Sequence, residues 1–262
     1  MPAAPFFREA GTGPTVLCLH SNASHCGQWR GLMEMLSGRF RVVAVDSYGA
    51  GKSPEWPSSR EIQLADEVAL IEPLLASAGD GVHLVGHSYG AAIALKAALM
   101  QPQRVRSLAV YEPTLFALVD RDTPRPNGTE GIRRTAQEGT ACLDRGDPEG
   151  AARVFIDFWM GTGSFDRTPA DRRLPIVESC RNLPRWAHAL FTEPATLEEF
   201  ARLRMPVLYM VGGRSRESSR CVADRLLQVL PHATRVEFPE LGHMGPVTHP
   251  RPVNEAIAAF LA

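Results

Sequence analysis

A serine stands at the centre of a short turn that is flanked by glycines. The segment 86–90 has the spacing G-x-S-x-G, with Ser88 in the middle. An apolar run at 82–86 precedes the turn, and the apolar stretch 91–100 follows it. The glycines are needed because side chains at either end of so tight a turn would collide. The pattern predicts a strand, a strained turn and a helix that together expose the Ser88 hydroxyl as a nucleophile.

The elements around this turn follow one rhythm along the chain. Short apolar runs rich in valine and leucine predict six buried strands, at 15–20, 41–46, 82–86, 105–112, 206–211 and 234–238. Helical patterns, such as the amphipathic stripe at 62–78, lie between most of these strands. Alternating helices and continuously apolar strands predict an α/β fold, in which a mostly parallel central sheet is covered by helices on both faces.

The rhythm breaks between residues 113 and 203. This segment contains eight prolines, helical patterns at 130–145 and 148–160, and no apolar run typical of a strand. We interpret it as a helical cap inserted into a core, with residues 1–112 as the first part of that core and residues 204–262 as the second. The cap is expected to form a mobile lid over Ser88.

A second motif, together with the turn at Ser88, indicates a known family. Residues 46–53 match a D-x-x-G-x-G-x-S turn, whereas the G-x-x-x-x-G-K-S/T spacing of a phosphate-binding loop is absent. With these motifs the chain resembles the α/β-hydrolase superfamily over roughly residues 6–112 and 204–262. The resemblance implies an α/β-hydrolase core with an inserted helical cap, a serine nucleophile on an elbow, and no cofactor or metal ion.

The same resemblance implies the partners of Ser88. His243 lies in a Gly-His segment after the last predicted strand, alone among the eight histidines, and matches the histidine that acts as base in this family. The backbone N–H groups of Asn22 and Tyr89 match the two donors of the family's oxyanion hole. Ser21 stands where the family usually has glycine.

The carboxylate that would orient His243 has two candidates. The family usually places an aspartate where this chain has Ser215. Glu217 follows two residues later, in a loop rich in arginine and serine, whereas Glu112 ends an apolar strand at the sheet edge that carries Ser88. A carboxylate at the end of such a strand needs a buried partner, which His243 would supply. We therefore favour Glu112 and keep Glu217 as the alternative.

Aromatic residues are frequent in the cap and favour an apolar pocket. Trp159, Trp186, Phe116 and Phe158 are candidate substrate contacts. The expected activity is hydrolysis of an apolar or aromatic ester, thioester or lactone through an acyl-enzyme. A C–C bond hydrolase or lyase using the same residues, or a non-catalytic ligand-binding protein of the same fold, are the alternative hypotheses.

Composition limits the other classes of function. The chain has 262 residues with 28 basic and 29 acidic side chains, a net charge of −1, which argues against a dedicated nucleic-acid binder. No apolar stretch reaches the roughly 20 residues of a membrane-spanning helix, and the N-terminus lacks the features of a signal peptide. Five scattered cysteines without a C-x-x-C pair favour a reducing compartment. We expect a cytoplasmic monomer or homodimer that acts on a small molecule.

Overall fold

A computed structural model describes residues 4–262 and shows a seven-stranded sheet. The strands are β1 (Phe7–Ala10), β2 (Thr15–Leu19), β3 (Arg41–Val45), β4 (Val82–His87), β5 (Val105–Tyr111), β6 (Val207–Gly212) and β7 (Ala233–Phe238). Their order is β1-β3-β2-β4-β5-β6-β7, with β1 antiparallel to β3 and all other neighbours parallel. The predicted α/β fold and the six predicted strands are confirmed.

Helices cover both faces of the sheet and fill the connection between β5 and β6. They are α1 (Arg30–Leu36), α2 (Leu64–Ala76), α3 (Tyr89–Met100), α4 (Phe116–Asp122), α5 (Glu130–Asp144), α6 (Pro148–Met160), α7 (Ser164–Arg167), α8 (Ala170–Cys180), α9 (Leu183–Thr192), α10 (Leu197–Phe200), α11 (Glu217–Val229), α12 (Gly245–Thr248) and α13 (Pro250–Phe260). Two short 3₁₀ helices span Cys26–Trp29 and Pro102–Arg104. Among the helices of residues 4–262, none is long and apolar enough to cross a membrane.

β1 is a strand that the sequence did not predict. Its residues, Phe-Arg-Glu-Ala, are mostly exposed and include two charges, so no buried apolar run marks them. β1 pairs with β3 at the sheet edge, where Phe7 lies opposite Val45. Backbone pairing at an edge does not require buried side chains, and such a strand leaves little trace in the hydrophobic pattern.

β2 shows how the core is divided between the two faces of the sheet. Val16 and Cys18 pack on the face that carries α1 and α13, whereas Leu17 and Leu19 pack on the face that carries α2 and α3. All four side chains are buried. Because both faces are covered, the strand is apolar at each position from Val16 to Leu19 rather than at alternate positions, and this continuous pattern is what made it predictable.

A buried ion pair joins the helices between β5 and β6 to the rest of the protein. Lys96 on α3 places Nζ 2.7 Å from Oε1 of Glu193, which follows α9. The Glu193 side chain is 2% exposed, and its Oε1 also accepts the backbone N–H of Ala195. A carboxylate this deeply buried needs a counter-ion, and Lys96 supplies it from α3.

We predict that Lys96→Met lowers the free energy of unfolding by about 3–5 kcal/mol, because methionine keeps the aliphatic packing but strands the charge of Glu193. Urea unfolding of the purified variant measures the loss. Adding Glu193→Gln removes the stranded charge and should restore a substantial part of the stability. Equal stability of Lys96→Met and the wild type would show that the pair makes no net contribution.

Candidate active site

Ser88 lies on a strained turn between β4 and α3. Its backbone has φ 56° and ψ −115°, which few L-residues adopt. A Cβ at Gly86 would come within 2.5 Å of the Ala91 Cα, and a Cβ at Gly90 would clash with the backbone of Leu19. Steric crowding therefore requires both glycines, and it holds Ser88 at the carboxyl edge of the sheet.

His243 and Glu112 lie in one hydrogen-bonded line with Ser88. The Nε2 atom of His243 is 2.9 Å from the Ser88 Oγ, and its Nδ1 atom is 2.7 Å from the Glu112 Oε2. The side chains of His243 and Glu112 are 2% and 1% exposed. The other candidate carboxylate, Glu217, is exposed at the first turn of α11. Of the two alternatives, the fold thus brings Glu112 to the histidine.

Donors from the end of β6 and the loop after it hold the Glu112 carboxylate. Its Oε1 accepts the backbone N–H of Gly212 at 2.7 Å and the hydroxyl of Ser215 at 2.5 Å. Ser215 is the residue that replaces the family's usual aspartate, and here it binds the carboxylate that arrives from β5. Ser219 on α11 adds a hydroxyl 3.3 Å from the Nδ1 atom of His243. The Glu112 carboxylate is therefore held by Gly212 and Ser215, and the His243 ring has Ser219 as a further neighbour.

The two candidate oxyanion donors flank Ser88. Tyr89 is the first residue of α3, so its N–H has no carbonyl one turn earlier in the helix to bind. Asn22 lies in the loop after β2 and borders the same cavity as Ser88. The N–H of Gly90 donates to the carbonyl of His20 at 3.1 Å, which fixes this loop against the turn.

His20 has a structural place beneath that loop. Its Nε2 atom accepts the backbone N–H of Ser47 at 3.1 Å, and its Nδ1 atom lies 2.7 Å from the carbonyl oxygen of Ser21. Burial lowers the pKa of His20, which favours the neutral ring, and the carbonyl acceptor assigns its proton to Nδ1. The ring therefore ties the loop after β2 to the loop after β3.

A chain of hydrogen bonds that the sequence did not predict connects the loop after β2, which holds Asn22, to the loop after β7, which holds His243. Gln28 accepts the N–H and hydroxyl of Ser21 through Oε1 and donates to Nδ1 of His87 at 3.2 Å. The Nε2 atom of His87 lies 2.8 Å from the carbonyl oxygen of His243. Burial, and secondarily the neighbouring His243, lower the pKa of His87 well below its ordinary value, so the ring is neutral and donates through Nε2. The G-x-S-x-G motif places His87 next to Ser88 in the sequence but does not predict its hydrogen-bond partners.

A small apolar cavity adjoins Ser88. Its volume is about 30 Å³, little more than a water molecule occupies. Ten of its thirteen lining residues are aliphatic or aromatic, and none is charged; they are Asn22, Ser88, Thr114, Phe116, Ile132, Ala136, Phe155, Trp159, Leu183, Trp186, Ala187, Leu190 and Phe191. Most of the apolar lining comes from the helices between β5 and β6, so the segment predicted as a cap covers Ser88.

The predicted substrate contacts divide into two groups. Phe116, Trp159 and Trp186 line this cavity, but Phe158 does not. The Phe158 ring packs against Trp159, with centroids 4.8 Å apart, and the Arg216 guanidinium lies over it. The sequence could not separate Phe158 from Trp159 because neighbouring positions on one helix differ only in the direction of their side chains.

Trp159 also covers the histidine. Its ring is stacked on that of His243 with a centroid separation of 3.8 Å and an interplanar angle of 24°. The stack shields the imidazole from solvent on that face.

One cluster has the residue types of a metal site. The side-chain ligand atoms of His25, Cys26 and Asp46 lie within 4.8 Å of one another. The Asp46 oxygens, however, accept the backbone N–H groups of Cys26 at 2.5 Å and of Lys52 at 2.9 Å. Burial raises the pKa of the Cys26 thiol to about 12, and a neutral thiol is a poor ligand. These groups therefore stabilise the turn that follows β3.

Glu67 is a buried carboxylate behind the nucleophile turn. Its oxygens accept the Tyr89 hydroxyl at 3.1 Å and the backbone N–H of Tyr48 at 3.2 Å. Burial raises the pKa of Glu67 from 4.5 to about 7. The residue thus connects α2, the loop after β3 and the first residue of α3, and its charge changes near neutral pH.

A mostly parallel sheet that presents a strained serine, a histidine and a carboxylate at its carboxyl edge defines an α/β-type hydrolase. The sequence profile described as the alpha/beta hydrolase family matches residues 16–256. The chain belongs to this family, and it is a hydrolase.

Individual relatives support the same class. The chain is 38% identical over 258 residues to 2-(acetamidomethylene)succinate hydrolase of Mesorhizobium japonicum, covering 97% of this chain and 90% of the relative. It is 29% identical over 259 residues to a pimeloyl-acyl-carrier-protein methyl ester esterase of Chromobacterium violaceum, covering 98% and 97%. A solved α/β hydrolase from Sphaerobacter thermophilus has a TM-score of 0.78 at 23% identity, covering 100% and 99%.

The raised pKa of Glu67 predicts a pH-dependent difference in stability. The folded protein holds the Glu67 proton more tightly than the unfolded chain, so the contribution of this residue to stability falls as the pH rises from 4.5 to about 7. Glu67→Gln cannot ionise. Its stability relative to the wild type should therefore rise by roughly 2–4 kcal/mol between about pH 5 and about pH 8.

Urea unfolding of both proteins at the two pH values measures this difference. Glu34→Gln, a change of an exposed glutamate on α1, is the control and should show no such rise, because a solvated carboxylate meets similar surroundings in both states. An unchanged stability difference between Glu67→Gln and the wild type across the pH range would contradict the prediction.

Proposed function

We propose that the chain is a serine esterase that hydrolyses uncharged carboxylic esters with an apolar or aromatic acyl group. The observation that carries this proposal is the line from Ser88 through His243 to Glu112, which ends at an apolar cavity. Ser88 would be the nucleophile, His243 the base and Glu112 the carboxylate that orients it. The methyl ester esterase among the relatives supports ester hydrolysis as the reaction type.

Acylation begins with the tautomer of His243. The hydrogen bond from Nδ1–H to Glu112 leaves the Nε2 lone pair directed at the Ser88 hydroxyl. Ser88 Oγ then attacks the ester carbonyl carbon while Nε2 takes its proton. The negative charge on the former carbonyl oxygen would be bound by the N–H groups of Asn22 and Tyr89, each worth about 2.7–4 kcal/mol where such donors have been removed.

The tetrahedral intermediate collapses when its C–O bond to the alcohol breaks. His243 returns the proton to the departing alkoxide, so the alcohol leaves neutral and the acyl group stays on Ser88. A water molecule then attacks the acyl-enzyme, again with His243 as the base. The carboxylic acid is released and Ser88 regains its proton.

The lining of the cavity favours an uncharged acyl group. A carboxylate in the substrate would need a cation or several donors once it left water. Arg133 lies over the Phe191 ring beside the cavity, but its guanidinium is paired with Asp120. The succinate derivative in the name of the Mesorhizobium relative carries two carboxylates, and the lining described above offers them no counter-ion. We therefore propose a neutral ester as the substrate.

We further propose that residues 113–203 act as a cap that opens to admit the ester. A cavity of about 30 Å³ is too small for an acyl chain, so side chains of this segment must move when a substrate binds. The residues from 1–112 and 204–262 would form the core that holds the reacting groups. Trp159 on α6 and Trp186 on α9 line the cavity and belong to the helices that would move.

For the nucleophile, we predict that Ser88→Ala keeps the fold and loses about 10⁴-fold or more of kcat/KM, because no other group attacks the ester. Hydrolysis of p-nitrophenyl esters of increasing acyl length measures the loss, and a fluorophosphonate probe should label the wild type but not the variant. Ser58→Ala, which changes an exposed serine, is the matched control and should retain both activity and labelling. Near wild-type turnover by Ser88→Ala would place the nucleophile elsewhere.

For the carboxylate, we predict that Glu112→Gln lowers kcat by as much as about 10⁴-fold, since the amide no longer fixes the reactive tautomer of the histidine. Glu217→Gln changes an exposed carboxylate and should keep most of the activity. Steady-state kinetics on one good ester compares the two variants. The assignment is wrong if the order of the two losses is reversed.

A further inference from the structure

We propose that the hydroxyl of Thr114 determines substrate specificity by donating a hydrogen bond to an ether or keto oxygen in the acyl chain of the ester. The substrate class would then be oxygen-substituted acyl esters rather than plain alkyl esters. This inference rests on the proposed esterase function, and it names a donor that the reaction itself does not require.

The first observation is a buried hydroxyl without a partner. Thr114 is 2% exposed, and its Oγ1 atom has no hydrogen-bond partner among residues 4–262. Its backbone carbonyl accepts the N–H of Phe116, so the main chain is engaged while the side chain is not. Burying a hydroxyl without a partner is unfavourable, and a group that stays unpaired in the free protein is explained when the ligand supplies the partner.

The second observation is where Thr114 lies. Thr114 follows the Glu112-Pro113 bend and lines the same cavity as Ser88. The aromatic rings around it, among them Phe116, Phe155 and Phe191, offer no strong acceptor. The Ser88 hydroxyl is engaged by His243. Thr114 therefore lines a mostly apolar cavity and carries a side-chain donor that no described residue engages.

The acyl side of the ester suits this cavity better than the alcohol side. The alcohol must leave after acylation, whereas the acyl group stays attached to Ser88 until water attacks. An enclosed cavity beside Ser88 is a place for the group that stays. A methylene beside Thr114 would leave the hydroxyl unpaired, and an oxygen at the same position would pair it, which is a strong basis for discrimination.

Pairs of esters that differ only in one oxygen test the proposal. The p-nitrophenyl esters of methoxyacetate and butanoate form one isosteric pair, and those of 3-methoxypropanoate and pentanoate form another. The measured quantity is the ratio of kcat/KM for the oxygen-containing ester to that for its hydrocarbon partner. Intrinsic reactivity differs within a pair, but it cancels when the same ratio is compared between the wild type and a variant.

Two variants at the same position separate the hydroxyl from the packing. Thr114→Val is nearly isosteric and removes the donor, so the ratio should fall by about five- to tenfold for at least one pair. Thr114→Ser keeps the donor and should hold the ratio within about twofold of the wild type. Thr114→Val should also unfold at the same or a higher denaturant concentration, because it removes an unpaired buried polar group.

Three outcomes would overturn the inference. The ratio for every pair could be the same in Thr114→Val and the wild type, both members of a pair could lose rate equally, or Thr114→Val could be markedly less stable, which would mean that the hydroxyl has a structural partner. Failure of the esterase proposal looks different. In that case the wild type would hydrolyse neither member of any pair and would not react with a fluorophosphonate, and the role of Thr114 in ester selection would fall with it.

Discussion

The buried carboxylate of Glu112 is the group around which the site is arranged. A charge that is 1% exposed at the end of an apolar strand must find donors, and two other parts of the chain supply them. Gly212 ends β6 and Ser215 lies in the loop that follows it, whereas His243 comes from the loop after β7. Satisfying this one charge fixes two loops against β5, and this fixes the Nε2 atom of His243 within hydrogen-bond distance of Ser88.

Backbone strain is concentrated at the same edge of the sheet. Within residues 4–262, the non-glycine residues with positive φ are Ala23, Ser88 and Glu112. Ala23 follows the proposed oxyanion residue Asn22, so all three lie in or beside the reacting groups. Such conformations cost of order 1–3 kcal/mol each and persist because the surrounding core over-determines them. The continuously apolar strands and the packed helix α3 supply that surrounding structure.

Features that depend on neighbouring residues in the sequence could be predicted, whereas contacts between distant parts of the chain could not. Six of the seven strands and the turn at Ser88 follow from local patterns, so apolar runs and two glycines were sufficient to find them. The choice between Glu112 and Glu217 depends on which loop reaches His243, and no spacing along the chain records that distance. The contacts of Gln28, in the 3₁₀ helix Cys26–Trp29, with Ser21 after β2 and with His87 at the end of β4 are made by ordinary polar side chains, which leave no pattern in the sequence. β1 was not predicted because its side chains are mostly exposed, so no apolar run marks the strand.

The site has a hydrogen-bonded part and an apolar part, and Trp159 contacts both. At the carboxyl edge of the sheet, hydrogen bonds from His87, Ser215 and Ser219 hold Glu112 and His243 in place. The helices between β5 and β6 line the cavity beside Ser88 with aliphatic and aromatic side chains that offer few polar contacts. The indole of Trp159, on α6, lines this cavity and also stacks on His243. One side chain therefore forms part of both the apolar lining beside Ser88 and the surroundings of the histidine.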